Sequence, residues 1–213
     1  HLWDTGILGR PAEYFNFNRP LLTLSARFGT ESMEEYWDVL LQKRTTANGV
    51  FGFKAHYDQF QFLFMTGLDR KLNGLKIVRL VRDDLIAEAV SFSRAIQTQA
   101  WTSSDALGDT APVYDTNHLN WCLAKLIEQK NGWHKFFQQY QHPYLTVRYD
   151  ALCADPDAVT ERVIEFLQVP AAPVQIARLP QMARQSDALS AEWIARYLAD
   201  PNRIKVAETK ADQ

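Results

Sequence analysis

Across residues 76–101 the spacing of apolar side chains changes character. Ile77-Val78-Arg79-Leu80-Val81 is short, β-branched and mostly apolar, as a strand buried in a parallel sheet would be. Beyond it, Leu85, Ala89, Phe92 and Ile96 recur at helical spacing, so one face of a helix packs on that sheet. Arg82 stands where the strand ends, and Asp83 and Asp84 both offer N-caps. The pattern predicts a strand, a charged turn and a helix.

The same reading extends along the chain. Residues 1–6 look like the last turn of a helix closed by Gly6. Residues 7–16 form a Gly- and Pro-bearing loop that carries Glu13, Tyr14 and Phe15, and 16–30 show no firm period. Ser32-Met33-Glu34-Glu35 is a capping box opening a helix over 33–46, with Tyr36, Leu40 and Leu41 inward. Asn48-Gly49 ends it. Residues 50–54, Val-Phe-Gly-Phe-Lys, predict a second strand, in which Gly52 marks a close backbone approach.

A helix follows over 57–67, and Asn73-Gly74 turns into the central strand. Residues 102–114 are rich in Ser, Asp, Gly and Pro and read as a mobile loop and lid. The longest helix spans 115–140, where Gly132 predicts a kink or split. Residues 144–149 form a further strand, Asp155-Pro156 starts another helix, 170–180 connect, 190–198 are the last helix, and the tail from Pro201 is loose. Strands alternating with helices predict a single α/β domain with a parallel sheet and right-handed crossovers.

Composition narrows the function. A chain of 213 residues with 46 % apolar and 23 % charged residues is an ordinary globular domain with a sizeable core. A net charge of −2 argues against a nucleic-acid coat, though not against a local basic cleft. No apolar run can span a bilayer and no signal peptide is visible, so the simplest expectation is a cytoplasmic protein. Cys122 and Cys153 neither imply nor exclude a disulfide. The five histidines form no HxH, HExxH or Cys/His cluster, so no bound metal is expected. GxSxG and GxxxxGK(S/T) are both absent.

The chemistry-bearing candidates gather at predicted strand ends. Ligands of open α/β sheets bind in the crevice at the carboxyl ends of strands. Arg82 lies there, with Ser91 about two turns into the helix and Arg94 three residues on. A guanidinium and a hydroxyl converging at such a place can hold an anion. The plainer alternatives are an Arg that pairs with Asp83 or Asp84 and a Ser bonded to the preceding helical turn. Glu13 sits between a proline-led turn and two rings, where desolvation would raise its pKa and make it a better base. Its alternative is an ordinary surface glutamate. Lys54 and His56, at or beyond a predicted strand end, are a cleft cation and a donor to substrate, or solvated surface groups. Tyr14, Phe15 and Trp101 can stack on a sugar, or pack in the core.

In order, GRPAEYF, NGVFGFK, IVRLVRDDLIAEAVSFSRAIQTQAW and the YxxLxxDP…VxxFL segment from Tyr149 resemble the bacterial carbohydrate sulfotransferases, and among them the trehalose sulfotransferase branch. The likeness runs from Gly6 to about Tyr197. It implies a P-loop-type parallel β-sheet flanked by helices, and a donor, 3′-phosphoadenosine 5′-phosphosulfate (PAPS), with PAP as product. On the matching positions, Arg82 and Ser91 would grip the 3′-phosphate and Glu13 would be the base. Arg184 and Gln185 would lie near the cofactor, and Lys54 would touch the acceptor or the sulfuryl group. The acceptor would be a sugar-containing small molecule or glycolipid: trehalose, a lipid-linked sugar or a lipopolysaccharide unit. Relatives are commonly homodimers. The resemblance also implies an N-terminal strand and a Ser/Gly-rich phosphosulfate loop ahead of the helix that closes at Gly6, which is expected upstream of His1. Two other readings stay open: a P-loop small-molecule kinase, and a non-catalytic glycan-binding module on the same fold.

Overall fold

The computed structural model describes residues 2–17, 20–101, 111–169 and 187–205. Its centre is a two-stranded parallel sheet of β1 (Ile77–Val81) and β2 (Tyr144–Arg148), in register from Ile77 opposite Tyr144 to Val81 opposite Arg148. Among the described residues eight α-helices accompany it: α1 (Pro20–Phe28), α2 (Met33–Arg44), α3 (Tyr57–Thr66), α4 (Leu85–Thr98), α5 (Thr116–Gln139), α6 (Tyr149–Ala154), α7 (Pro156–Leu167) and α8 (Ala188–Ala199). Both strands and all helices but α1 and α6 coincide closely with the periodic segments. In α1, where no firm period is expected, Leu21, Leu24 and Phe28 do stand at helical spacing, and only Leu21 is buried.

Caps set most of the helix starts. Ser32 accepts from the Glu35 N–H, while the Glu35 carboxylate reaches back one residue further than a capping box requires, to the Glu31 N–H at 2.9 Å. Asp84, Asp115, Asp155 and Asp187 cap α4, α5, α7 and α8 in the same manner, and Pro156 occupies the first turn of α7. In α2, Trp37 joins Tyr36 and Leu40 as a fully buried residue.

Three apolar clusters hold the layers. Tyr14, Phe15, Tyr36, Trp37, Leu40, Phe60, Leu63 and Phe136 tie the N-terminal loop to α2, α3 and α5. Ala89, Val90, Leu119, Cys122, Leu123, Trp193 and Tyr197 tie α4 to α5 and α8. Ile7 and Leu8 pack with Val147, Val159 and Val163, with Val78 and Leu145 alongside, so the start of the loop lies over the sheet beside α7. Both cysteines are free.

Three expectations are corrected. Residues 50–54 form no strand: the Lys54 N–H reaches the Ala12 carbonyl at 3.0 Å, and the segment is held by Phe51 and Phe53 packing on Trp37. The close approach at Gly52 is present, since a Cβ there would lie 2.6 Å from the Leu8 carbonyl oxygen. The turn closed by Gly6 is a 3-10 turn, Leu2–Thr5, and not the last turn of an α-helix. Of the loop expected to be mobile, 102–110 lie outside the described residues; at its far end the Gln97 amide exchanges two hydrogen bonds with the Val113 backbone, at 2.8 and 3.1 Å. Of the expected tail, 206–213 lie outside the described residues; over 201–205 Asn120 holds the Asn202 carbonyl and the Ile204 N–H.

The third correction concerns Gly132. It does not split α5, which runs unbroken from Thr116 to Gln139. Glycine is needed there for space: a Cβ would stand 2.1 Å from the Tyr57 ring. Gly132→Ala should therefore cost about 1–3 kcal/mol despite improving helix propensity. A denaturant midpoint equal to wild type, with unchanged slope, would refute this.

Candidate active site

The carboxyl ends of β1 and β2 lie side by side and present Arg82, Asp83, Arg148 and Tyr149 together. Their partners sort the alternatives left open for Arg82. Asp84 is spent on the Ala87 N–H as the α4 cap, and Asp83 forms an ion pair with Arg148. Among the described residues neither aspartate pairs with Arg82. Its guanidinium instead lies over the Tyr149 ring, 5.0 Å from the centroid, and its carbonyl accepts from Lys130 Nζ at 3.0 Å.

Glu88 faces these cations from the first turn of α4. Burial raises its pKa, while the charges of Lys130 and Arg82 pull it down. Its Oε2 is sealed from solvent and has no hydrogen-bond partner. Ser91 follows by three residues, on the same helix face. The strand end thus holds three cations, of which Arg148 is paired with Asp83, a hydroxyl on the adjoining helix face and one unsatisfied carboxylate oxygen. Arg94 does not join them. It clasps both Asp187 oxygens, at 2.6 and 2.7 Å, and donates to Ser190, tying α4 to the start of α8.

A second centre surrounds Glu13. Lys54 Nζ lies 2.7 Å from Oε1 and Asn16 Nδ2 donates to Oε2 at 2.9 Å. Burial is the largest single influence on this carboxyl and raises its pKa. The Lys54 and Asn16 hydrogen bonds, with the charges of Lys54 and His56, together outweigh it, so the net shift is downward. The expected raised pKa is therefore reversed: burial was foreseen, the lysine contact was not. The Glu13 side chain is 23 % exposed and that of Lys54 68 % exposed. His56 is exposed and begins α3, where its N–H meets the Gln59 side chain at 3.2 Å.

One turn of α5 joins the strand end to the start of α3. Gln129 Oε1 accepts from the Tyr57 and Asp58 N–H groups, next to His56. Lys130 holds the Arg82 carbonyl, and Gly132 takes the Tyr57 ring.

The model of one protein family, described as Stf0 sulphotransferase, matches residues 1–200. The chain belongs to the Stf0 sulphotransferase family. It is 30 % identical over 176 residues to a trehalose 2-sulfotransferase of Mycobacterium tuberculosis, a match covering 75 % of this chain and 64 % of that protein. A 240-residue alignment gives 27 % identity to a trehalose 2-sulfotransferase of Mycolicibacterium smegmatis, covering 93 % of this chain and 88 % of the relative. The chain thus spans a little under two thirds of the first relative's length. The mixed architecture of helices around a small parallel sheet agrees with an α/β Stf0 sulphotransferase fold. Among the described residues no helix is long and apolar enough to cross a membrane.

The other expected residues of this member of the Stf0 sulphotransferase family fall in different places. Tyr14 is core: it is 1 % exposed, stacks on Phe51 and donates to the Arg10 carbonyl, so its ring is closed to a sugar. Phe15 is likewise buried. Trp101 is 56 % exposed, with its ring 6.2 Å from Phe92. Arg184 and Gln185 lie outside the described residues. Asn16, Glu88, Gln129 and Lys130 were missed. Asn16 is three residues past Glu13, close enough in sequence to have suggested a partner. Lys130 and Gln129 sit in a polar stretch of a long helix, where nothing local separates them from solvated side chains.

Proposed function

We propose that the intact protein transfers a sulfuryl group from PAPS to a carbohydrate hydroxyl. The carrying observation is the strand-end guanidinium of Arg82, unpaired with either neighbouring aspartate, with one turn of α5 running from its carbonyl to the start of α3 next to His56. In this reading Arg82 and Ser91 bind the 3′-phosphate, with Lys130 adding positive charge. Glu13 takes the proton of the attacking hydroxyl as its oxygen bonds to sulfur and the bond from sulfur to the 5′-phosphate oxygen breaks. The products are a sulfate ester, PAP and a protonated Glu13. Arg184 and Gln185 are assigned to the cofactor by family resemblance, and Trp101 to a sugar face. The names of the mycobacterial relatives favour trehalose as acceptor, and a glycolipid or lipopolysaccharide sugar offers the same hydroxyl chemistry.

Lys54 has a part that follows from its exposure. Paired with Glu13, it stabilises the carboxylate and weakens the base. When it turns to the sulfuryl oxygens, burial dominates again and the carboxylate becomes more basic as the acceptor arrives. Removing the lysine has a signed consequence. A carboxyl whose folded pKa is lowered works as a base at and above the ordinary carboxylate range and fails as pH falls through the folded value. Lys54→Met should move the acid limb of the kcat/KM profile, which reports the free enzyme, to higher pH. A limb that stays in place would remove Lys54 from control of the base.

The kinase reading needs carboxylates for Mg²⁺ at the strand end, and Asp83 and Asp84 are committed to Arg148 and the α4 cap. Thermal stabilisation by PAP without Mg²⁺, together with transfer of labelled sulfate from PAPS to trehalose or a glycolipid, is the expected result. A requirement for ATP and Mg²⁺ would favour the kinase, and stabilisation by sugar alone would favour a binding module.

A further inference from the structure

Cations also gather away from the strand ends. Arg10 of the N-terminal loop, Arg27 at the end of α1, and Lys43 and Arg44 at the end of α2 line an open cavity of about 380 Å³, with Phe28 as the remaining wall. The helix dipole accounts for each of the three helical cations singly, since positive charge is favourable in a last turn. It does not account for their convergence, because like charges brought together repel. Among the described residues no carboxylate pairs with Arg27, Lys43 or Arg44.

We infer that this cavity is an anion site for a phosphomonoester group. A dianion satisfies several converging cations at once, and guanidinium forks match phosphate oxygens in pairs. Phe28, with Lys43 Nζ 6.0 Å from its ring centroid, supplies an apolar wall for the carbon portion of the ligand. The site shares no residue with the Arg82 strand end, and it stands or falls independently of the donor assignment. Arg10 precedes Glu13 by three residues, so an occupant would lie along the loop that carries the proposed base. The phosphate can belong to a soluble phosphorylated sugar or to a lipid headgroup, and the experiment separates them.

Inorganic phosphate is titrated at constant ionic strength into wild type, Arg82→Ala and the double variant Arg27→Ala/Lys43→Ala, with binding followed by calorimetry. A saturable site retained in Arg82→Ala and weakened at least tenfold in the double variant is expected. If the double variant unfolds, Lys43→Glu alone serves, since its side chain is exposed and its charge reversal should weaken phosphate by a similar factor. Phosphate affinity unchanged in these variants, binding that never saturates, or loss only in Arg82→Ala would overturn the site. Glucose 6-phosphate competing with phosphate identifies a soluble ligand. Binding to vesicles containing phosphatidic acid, lost in the same variants, identifies a headgroup.

Discussion

Glu13→Gln should lower kcat by about 10²–10⁴-fold, the usual worth of general-base assistance, while PAP binds as in wild type. The amide keeps the shape of the side chain and can still accept from Asn16, but it cannot take a proton at neutral pH. The ion pair to Lys54 is lost as well. With Lys54 mostly exposed, that loss should cost no more than about 1 kcal/mol of stability. A folded protein with intact donor affinity and almost no turnover is therefore the outcome that identifies a base. Turnover within about threefold of wild type would mean that the proton goes elsewhere, and His56 would be the next group to test.

Arg82→Ala should give the complementary result. Loss of a charged hydrogen-bond donor to the 3′-phosphate should weaken PAP by about 1.5–3 kcal/mol, roughly 10- to 150-fold in Kd. Arg82→Lys should recover part of the charge but not the paired geometry of the guanidinium. The substitution also removes one of the two charges that hold the Glu88 pKa down, so Glu88 should titrate at still higher pH in the variant. An unchanged Kd for PAP would take Arg82 out of the donor site. The two variants together separate chemistry from binding, which neither does alone.

Much of this arrangement is legible in the amino-acid order because it is local. The boundaries of β1, the Asp84 cap and the helix beyond it follow from period and capping over some twenty consecutive residues. The same holds for Asp155-Pro156 at the head of α7. What escapes is long-range. Nothing within residues 50–54 says that their backbone will meet the loop at Ala12 and Leu8 instead of a neighbouring strand. Gly132 has the composition of a kink, and only the Tyr57 ring, 75 positions away in sequence, shows that it is a seat. Glu13 illustrates the limit for a site. Its burial could be foreseen from the rings beside it, whereas the direction of its pKa depends on a lysine brought in from another segment.

The stretch of α5 from Gln129 to Gly132 also constrains how this chain can change in length. Inserting or deleting a single residue in a helix turns everything beyond it by about 100°. Such an event upstream in α5 would swing Gln129 away from α3, Lys130 away from the Arg82 carbonyl and Gly132 away from the Tyr57 ring together. The distance that this helix sets between the start of α3 and the strand end is accordingly one that drift within it cannot adjust in small steps.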